Sequence, residues 1–285
     1  MILIEDLSHR YEGSLLQALD GLSLCLGEGE YVALIGPNGC GKTTLVKHLN
    51  GLLMPTNGTV SVDGIRTSDK GRLAEIRSRV GMIFQNPDHQ IVGMTVEDDV
   101  AFGPGNLRLP SGEIRERVGR ALSAMGLAGY QERHPHSLSG GEKQLLALAG
   151  VLAMDPHYVV LDEPTSSLDP ASGARVLAMV RGLKERGITI IHVTHHMEEV
   201  IGAGRIIVMD KGRIVADDTP SAVFGRAEWL KSLGLAPPQM AELAWLLRRR
   251  GVDIGTPLHT LEETADAISA LARAAHACRR GEGEA

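Results

Sequence analysis

The sequence predicts an α/β fold with a mixed sheet core, an N-terminal antiparallel β subdomain, an inserted helical subdomain and a C-terminal helical extension. Three observations lead there. Apolar strand-like runs at 31–35, 158–161 and 188–193 are separated by helical patterns and end in glycine, acid or histidine. The first run passes directly into Gly36-Pro-Asn-Gly-Cys-Gly-Lys-Thr43, a Gly-x-x-x-x-Gly-Lys-Thr loop that opens a helix. Helical spacing of apolar residues then fills the stretch between strand groups and returns beyond residue 226.

Strand, loop and helix in that order are the context a phosphate-binding loop requires. Gly36, Gly39 and Gly41 let backbone approach an anion closely. The loop N–H groups and the helix N-terminus point at a triphosphate, with Asn38 and Thr44 completing the stretch around it. Lys42 suits β/γ-phosphate charge, and the Thr43 hydroxyl suits Mg2+. A Gly-rich turn matching by chance is the bland alternative, and the flanking strand and helix weigh against it.

At 285 residues the chain holds one large or two unequal domains. A net charge of −6 argues against a broad nucleic-acid surface, so no nucleic-acid partner is expected. The 3 cysteines are too few and scattered for a disulfide framework or zinc site, which fits a reduced cytoplasmic compartment. No apolar run reaches the roughly 18 residues of a membrane span. The N-terminal residues lack the basic start and cleavage site of a secretory signal.

In chain order, 2–7 alternates as a strand, and 15–26 reads as strand segments about a tight turn at Asp20-Gly21. Tyr11 lies between them. It suits an adenine face or a half-buried strand end, and the residue alone favours the second. Strands follow at 59–64 and 80–84. Gln85 leaves the latter, placed either to reach Mg2+ or the attacking water, or to do nothing. Thr95-Val-Glu-Asp98 fits a capping box for a short helix through Phe102, with Pro104, Gly105 and Pro110 breaking the next stretch. Residues 111–125 resume helical spacing. Ser139, Gly140 and Gly141 begin another apolar helix, either as an anion site or as a plain N-cap.

The run at 158–161 ends in Asp162 and Glu163, acids at the carboxyl edge of a parallel sheet, where ligands bind in open α/β folds. Asp162 suits Mg2+ and Glu163 suits a base for the attacking water. The next strand stops at Thr194-His195-His196, which puts His195 at the same edge, able to touch a γ-phosphate or the water. No role attaches to His196. Short strands at 205–210 and 213–216 and a small helix from Thr219-Pro220 follow. Composition shifts near Arg226. A helix after Pro237-Pro238, a second capping box at Thr260-Leu-Glu-Glu263 and a stripe of Leu261, Ala265, Ile268, Ala272 and Ala275 read as a packed-back lid or an association surface. The tail 281–285 is expected to be disordered.

Gly36 to Thr43, Gln85, Leu138-Ser-Gly-Gly-Glu142, Val159-Val-Leu-Asp-Glu163, Ser166-Ser-Leu-Asp169 and His195 together resemble, in order, the motif set of the ATP-binding-cassette ATPases, P-loop NTPases that hydrolyse ATP with Mg2+. The resemblance implies residues 1–226 as the ATP-binding domain, with the helical subdomain at about 86–154, and 227–285 as an extension that holds a dimer together. It makes Tyr11 the adenine-stacking residue, Gln85 the Q-loop, Ser139, Gly140 and Gly141 the signature that closes a partner's nucleotide site, Ser166 to Asp169 the D-loop and His195 the switch histidine. Gln85-Asn-Pro-Asp-His-Gln-Ile-Val-Gly-Met-Thr-Val-Glu-Asp-Asp-Val-Ala-Phe-Gly103 narrows the likeness to the ATPase of energy-coupling-factor transporters, prokaryotic importers of vitamins and transition-metal ions. That likeness implies a peripheral place on the cytoplasmic face of the cell membrane. The implied partners are a second ATPase chain, a transmembrane coupling subunit and a substrate-capturing membrane protein. The coupling subunit is expected on 96–103 and around 86–88, its basic residues meeting Glu97, Asp98 and Asp99. Other transporter types and non-transport cassettes are the alternatives. Three departures stand out: Glu142 replaces the signature glutamine, with Lys143 beside it to offset the charge; Leu145 replaces a frequent arginine; and His196 replaces a frequent aspartate.

Overall fold

The computed structural model describes residues 1–255 and 261–281. Two sheets share one hydrophobic layer. β1 (Ile2–His9), β2 (Leu19–Leu26), β4 (Asn57–Val62) and β5 (Ile65–Arg66) form an antiparallel sheet in the order β2-β1-β4-β5. β3 (Tyr31–Ile35), β6 (Val80–Ile83), β7 (Tyr158–Asp162), β8 (Thr189–Val193), β9 (Arg205–Asp210) and β10 (Arg213–Asp218) form the second, ordered β10-β9-β3-β8-β7-β6. Its pairs are parallel except β9 with β10, so the core is mixed, as expected.

The parallel strands are buried on both faces, and their side chains divide by alternation. Val32, Leu34, Val160, Ile191 and Ile207 pack toward the antiparallel sheet and α1 (Lys42–Leu49). Ala33, Ile35, Val159, Leu161, Ile190 and Ile206 pack toward the helices. Burying a Val or Leu fully contributes roughly 1.5–3 kcal/mol. These strands therefore fix where their C-terminal residues stand.

Between β5 and β6 lies α2 (Leu73–Arg79). α3 (Val96–Asn106), α4 (Ser111–Ala124) and α5 (Gly140–Leu152) pack on one another, with Val96, Val100, Leu122, Leu146 and Leu148 fully buried. α6 (Pro170–Glu185) joins β7 to β8. α7 (Pro220–Phe224), α8 (Ala227–Ser232) and α9 (Gln239–Arg249) follow β10, and Phe224, Leu230, Leu235 and Ala241 belong to the helix-side core. α10 (Leu261–Gly281) leaves Leu261, Ile268 and Leu271 exposed.

Several sequence expectations change. β2 runs unbroken from Leu19, and Gly21 at φ 61° lies within it beside Asp6 at φ 49°, where the β1 register shifts. The supposed turn is a bulge. Leu15 and Leu16, expected in a strand, are 97% and 81% exposed. α3 continues past Phe102 through Pro104, because proline in the last turn forfeits one backbone bond while α3 stays packed on α5. The capping box at Thr95 and Asp98 forms. Asp99 is buried, and its Oδ1 accepts from the Val92 and Gly93 N–H groups at 2.7 and 2.8 Å. It therefore cannot serve as a surface acid, and Asp98 is occupied at the cap. Gly281 lies in α10; the rest of the tail and Thr260 of the second capping box fall outside the described residues.

Candidate active site

β3 is fully buried and delivers the chain to Gly36, where a Cβ would stand 2.3 Å from the Met209 carbonyl oxygen. Only glycine fits there. Gly41, at φ 109°, is the N-cap of α1, and no side chain caps that helix. Its first N–H groups are thus directed to the loop. Asn38 and Gly39 are exposed at the loop tip, and Thr44 is buried. Lys42 lies along the loop, its Nζ donating to the Gly36 and Pro37 carbonyls at 2.6 and 3.0 Å.

The sheet register assembles the opposite wall. Ile83 pairs with Leu161 and Leu161 with His192, while Asp162 pairs with Val193 and Val193 with Leu34. Gln85 and Glu163, each two residues past a paired position, therefore emerge at one level, and His195 lies one residue beyond Thr194. The Thr43 hydroxyl donates to Asp162 Oδ1 at 3.2 Å, joining the loop to the acid edge. Burial raises the Asp162 carboxyl above its ordinary range, opposed by the Thr43 bond and reinforced by the Glu163 charge. Glu163 has φ 52°, a left-handed backbone that a β-run would not adopt, and its N–H donates to the Val193 carbonyl at 2.9 Å. Its Oε1 lies 3.0 Å from His195 Nδ1, so the structure brings the expected base and switch residue into contact. The His195 ring leans on His196, with centroids 4.1 Å apart.

Tyr11 is 44% exposed, and its hydroxyl lies 3.0 Å from Thr44 Oγ1. Its ring meets the edge of His9 at 4.7 Å, and His9 meets buried His48 at 4.8 Å. His48 Nδ1 lies 2.7 Å from the Thr44 carbonyl and must donate there, which leaves Nε2 as an acceptor 3.2 Å from His9 Nδ1, whose N–H it shares with the Met54 carbonyl at 3.1 Å. Burial pushes the His48 pKa down, consistent with a neutral ring. Nothing in the sequence singled out this pair, since the two residues lie 39 positions apart. Gln90 was also missed. Its side chain accepts from the Phe84 N–H at 2.8 Å and donates to the Met82 carbonyl at 2.9 Å, completing the open edge of β6. Gln85 itself is exposed.

Ser139, Gly140 and Gly141 start α5. Among the described residues no hydrogen bond or ion pair links them to the phosphate loop. Ser139 Oγ and N–H both donate to Glu142 Oε2 at 2.8 Å, and Tyr130 donates to Glu142 Oε1 at 3.0 Å. Those Ser139 bonds hold the Glu142 carboxyl below its usual range. The substituted acid is thus consumed by a capping box, not offset by Lys143, which pairs with Asp88 at 2.7 Å.

A phosphate loop on one strand, with an acid pair on a parallel strand of the same sheet, defines a P-loop ATPase. The chain belongs to the ABC transporter family, whose model matches residues 19–166. The cobalt import ATP-binding protein CbiO of Syntrophus aciditrophicus is 53% identical to it over 270 residues, 95% of this chain and 96% of that protein. The energy-coupling factor transporter ATP-binding protein EcfA1 of Caldanaerobacter subterraneus subsp. tengcongensis is 50% identical over 251 residues, 88% and 91% of the two. Among solved structures, a dimeric ATP-binding cassette in a post-hydrolysis state bound to ADP and Pi superposes with a TM-score of 0.69 and 29% identity, covering 77% of this chain and 98% of that one. As a member of this family the chain binds ATP and couples its hydrolysis to transport.

Proposed function

We propose that this chain is the ATP-hydrolysing subunit that powers import of a micronutrient, a vitamin or a transition-metal ion, through an energy-coupling-factor-type transporter. Relatives so named match it at half or more identity along most of its length, well beyond the span of the family model. The observation that carries the chemistry is the Glu163–His195 contact at the sheet edge beside the phosphate loop.

Residues 1–226 are the ATP-binding domain, with its helical subdomain at about 86–154. Tyr11 stacks on adenine, while Gly36, Asn38, Gly39, Gly41, Lys42, Thr43 and Thr44 surround the phosphates. Thr43, Asp162 and Gln85 can each present a hard oxygen donor, and no ion pair among the described residues neutralises buried Asp162, a set that fits Mg2+. When bound, that ion would neutralise phosphate oxygens. Glu163 takes the proton of the attacking water, held in aim by His195. Ser139, Gly140 and Gly141 of a second chain close the site from the other side, for within this chain they have no link to the loop. The dimeric ADP-bound relative supports that arrangement. The extension, 227–285, keeps the two copies together, and exposed Leu261, Ile268 and Leu271 on α10 suit that role.

No helix among the described residues is long and apolar enough to cross a membrane. In this reading, contact with the membrane comes through partner subunits on its cytoplasmic face. A 510 Å³ groove between α2, β6, α3 and α5, lined by Met82, Phe84, Phe102, Gly103 and Met154, receives a helix of the coupling subunit. A separate membrane protein captures the solute. Replacing Glu163 by Gln should slow ATP turnover by about 10² to 10⁴ while ATP still drives dimerisation on a sizing column. Retained turnover would remove Glu163 from the role of base.

A further inference from the structure

Behind the sheet edge lies a polar network that the reaction does not use directly. His192 is fully buried near the C-terminal end of β8, its Nδ1 3.0 Å from the hydroxyl of buried Tyr31 on β3. Its Nε2 has no hydrogen-bond partner and faces Glu199 Oε2 at 3.5 Å. Glu199 lies in the turn after His196 with its side chain 13% exposed. Its Oε2 accepts from Thr194 Oγ1 at 2.9 Å, and its Oε1 accepts from Thr165 Oγ1. Burial alone would raise this carboxyl. The nearby His192 ring and the bonds from Thr165 and Thr194 outweigh burial and hold it below the usual range, so it stays an acceptor for both hydroxyls.

The two hydroxyls come from the two arms of the site. Thr165 lies two residues after Glu163, and Thr194 immediately precedes His195. Thr194 Oγ1 also accepts from the His196 N–H at 3.0 Å, so the turn carrying His195 is pinned on both sides. A single half-buried carboxylate thus clamps the chain just after one member of the Glu163–His195 pair and just before the other. The strained backbone of Glu163 makes the clamp consequential, since a left-handed residue persists only where its surroundings over-determine it.

We propose that Glu199 is a positioning residue that, through Thr165 and Thr194, fixes the separation of Glu163 and His195 and so the aim of the Glu163 carboxylate. This rests on the reading of Glu163 as the base. A misplacement of about 1 Å in such a group can cost on the order of 10²-fold in rate.

The test uses the full chain and compares Glu199→Ala, Glu199→Gln, Thr194→Val and Thr194→Ser. Glu199→Ala and Thr194→Val should each lower kcat about tenfold or more and leave KM for ATP within about twofold. Glu199→Gln and Thr194→Ser, which retain hydrogen-bonding atoms at those places, should recover most of the rate. In a Glu163→Gln background, single-turnover hydrolysis should show no further loss from Glu199→Ala, because residues acting as one unit are not additive. The proposal is overturned by wild-type kcat in Glu199→Ala, by a rise in KM at unchanged kcat, or by a loss that adds in full to that of Glu163→Gln. If Glu199→Ala does not fold, Thr194→Val against Thr194→Ser decides alone: a lowered kcat restored by serine supports it, and equal rates overturn it. Wild-type turnover in Glu163→Gln would overturn the base reading instead. Lost turnover there with wild-type Glu199→Ala and Thr194→Val would overturn only the clamp.

Discussion

Glu142 stands at the start of α5, where an anion would be expected to bind and an acid to be unwelcome. Local geometry resolves the conflict, because the N-terminal position that favours anions favours this side chain too. Its bonds to Ser139 and Tyr130 keep it off the exposed face of the helix start. Glu142→Ala should lower stability by about 0.5–2 kcal/mol, read from denaturant unfolding, with Glu142→Gln costing less. At this scale the sequence was highly legible. Lys42, Thr43, Asp162, Glu163 and His195 all fall on the sheet edge their motifs implied. The pairings of Glu199, Gln90 and the His9–His48 couple were not legible, since each depends on a fold-back that local spacing does not encode.

Among the elements, α3 teaches the sharpest distinction. Its capping box joins residues three apart and could be read from the letters Thr-Val-Glu-Asp. The next acid, Asp99, looked like one more surface charge. Instead it reaches back to cap the Val92 and Gly93 N–H groups, fixing the segment that leads from Gln85 into the helix. Asp99→Ala should cost about 1–3 kcal/mol in urea unfolding through the loss of those bonds. Charge reversal there would damage the fold before it could report on docking. Strand and helix identities were otherwise legible from periodicity, whereas the end of α3 was not, because tertiary packing overrides the breaking tendency of Pro104.

For the whole molecule, the order of strands brings four distant segments to one edge, and two cores on opposite faces of one sheet hold them in register. The sequence announced those segments but not their neighbours in space. The groove proposed for docking is likewise a product of assembly. Phe102 is 55% exposed at the groove, beside Val92 at 60%. Phe102→Glu should abolish solute uptake in proteoliposomes carrying the complete transporter, while the isolated chain hydrolyses ATP within about twofold of wild type, as surface substitutions away from a site usually have small effects. Uptake at the normal rate would exclude the groove as the coupling surface.

Val80, Gly81 and Met82 of β6 line that groove, and the same strand leads through Phe84 to Gln85. Extended chain advances about 3.3 Å per residue, so a load applied at Met82 travels about 10 Å to the Gln85 backbone. Along it the chain is bonded to β7 as far as Ile83, and the Gln90 amide braces Met82 and Phe84 on the other side. A rod so short and so well supported offers no gearing. Under the docking and the Gln85 role proposed above, displacement at the groove and displacement at the phosphates should stand near a ratio of one to one, so that the stroke delivered would be as large as the movement the nucleotide imposes.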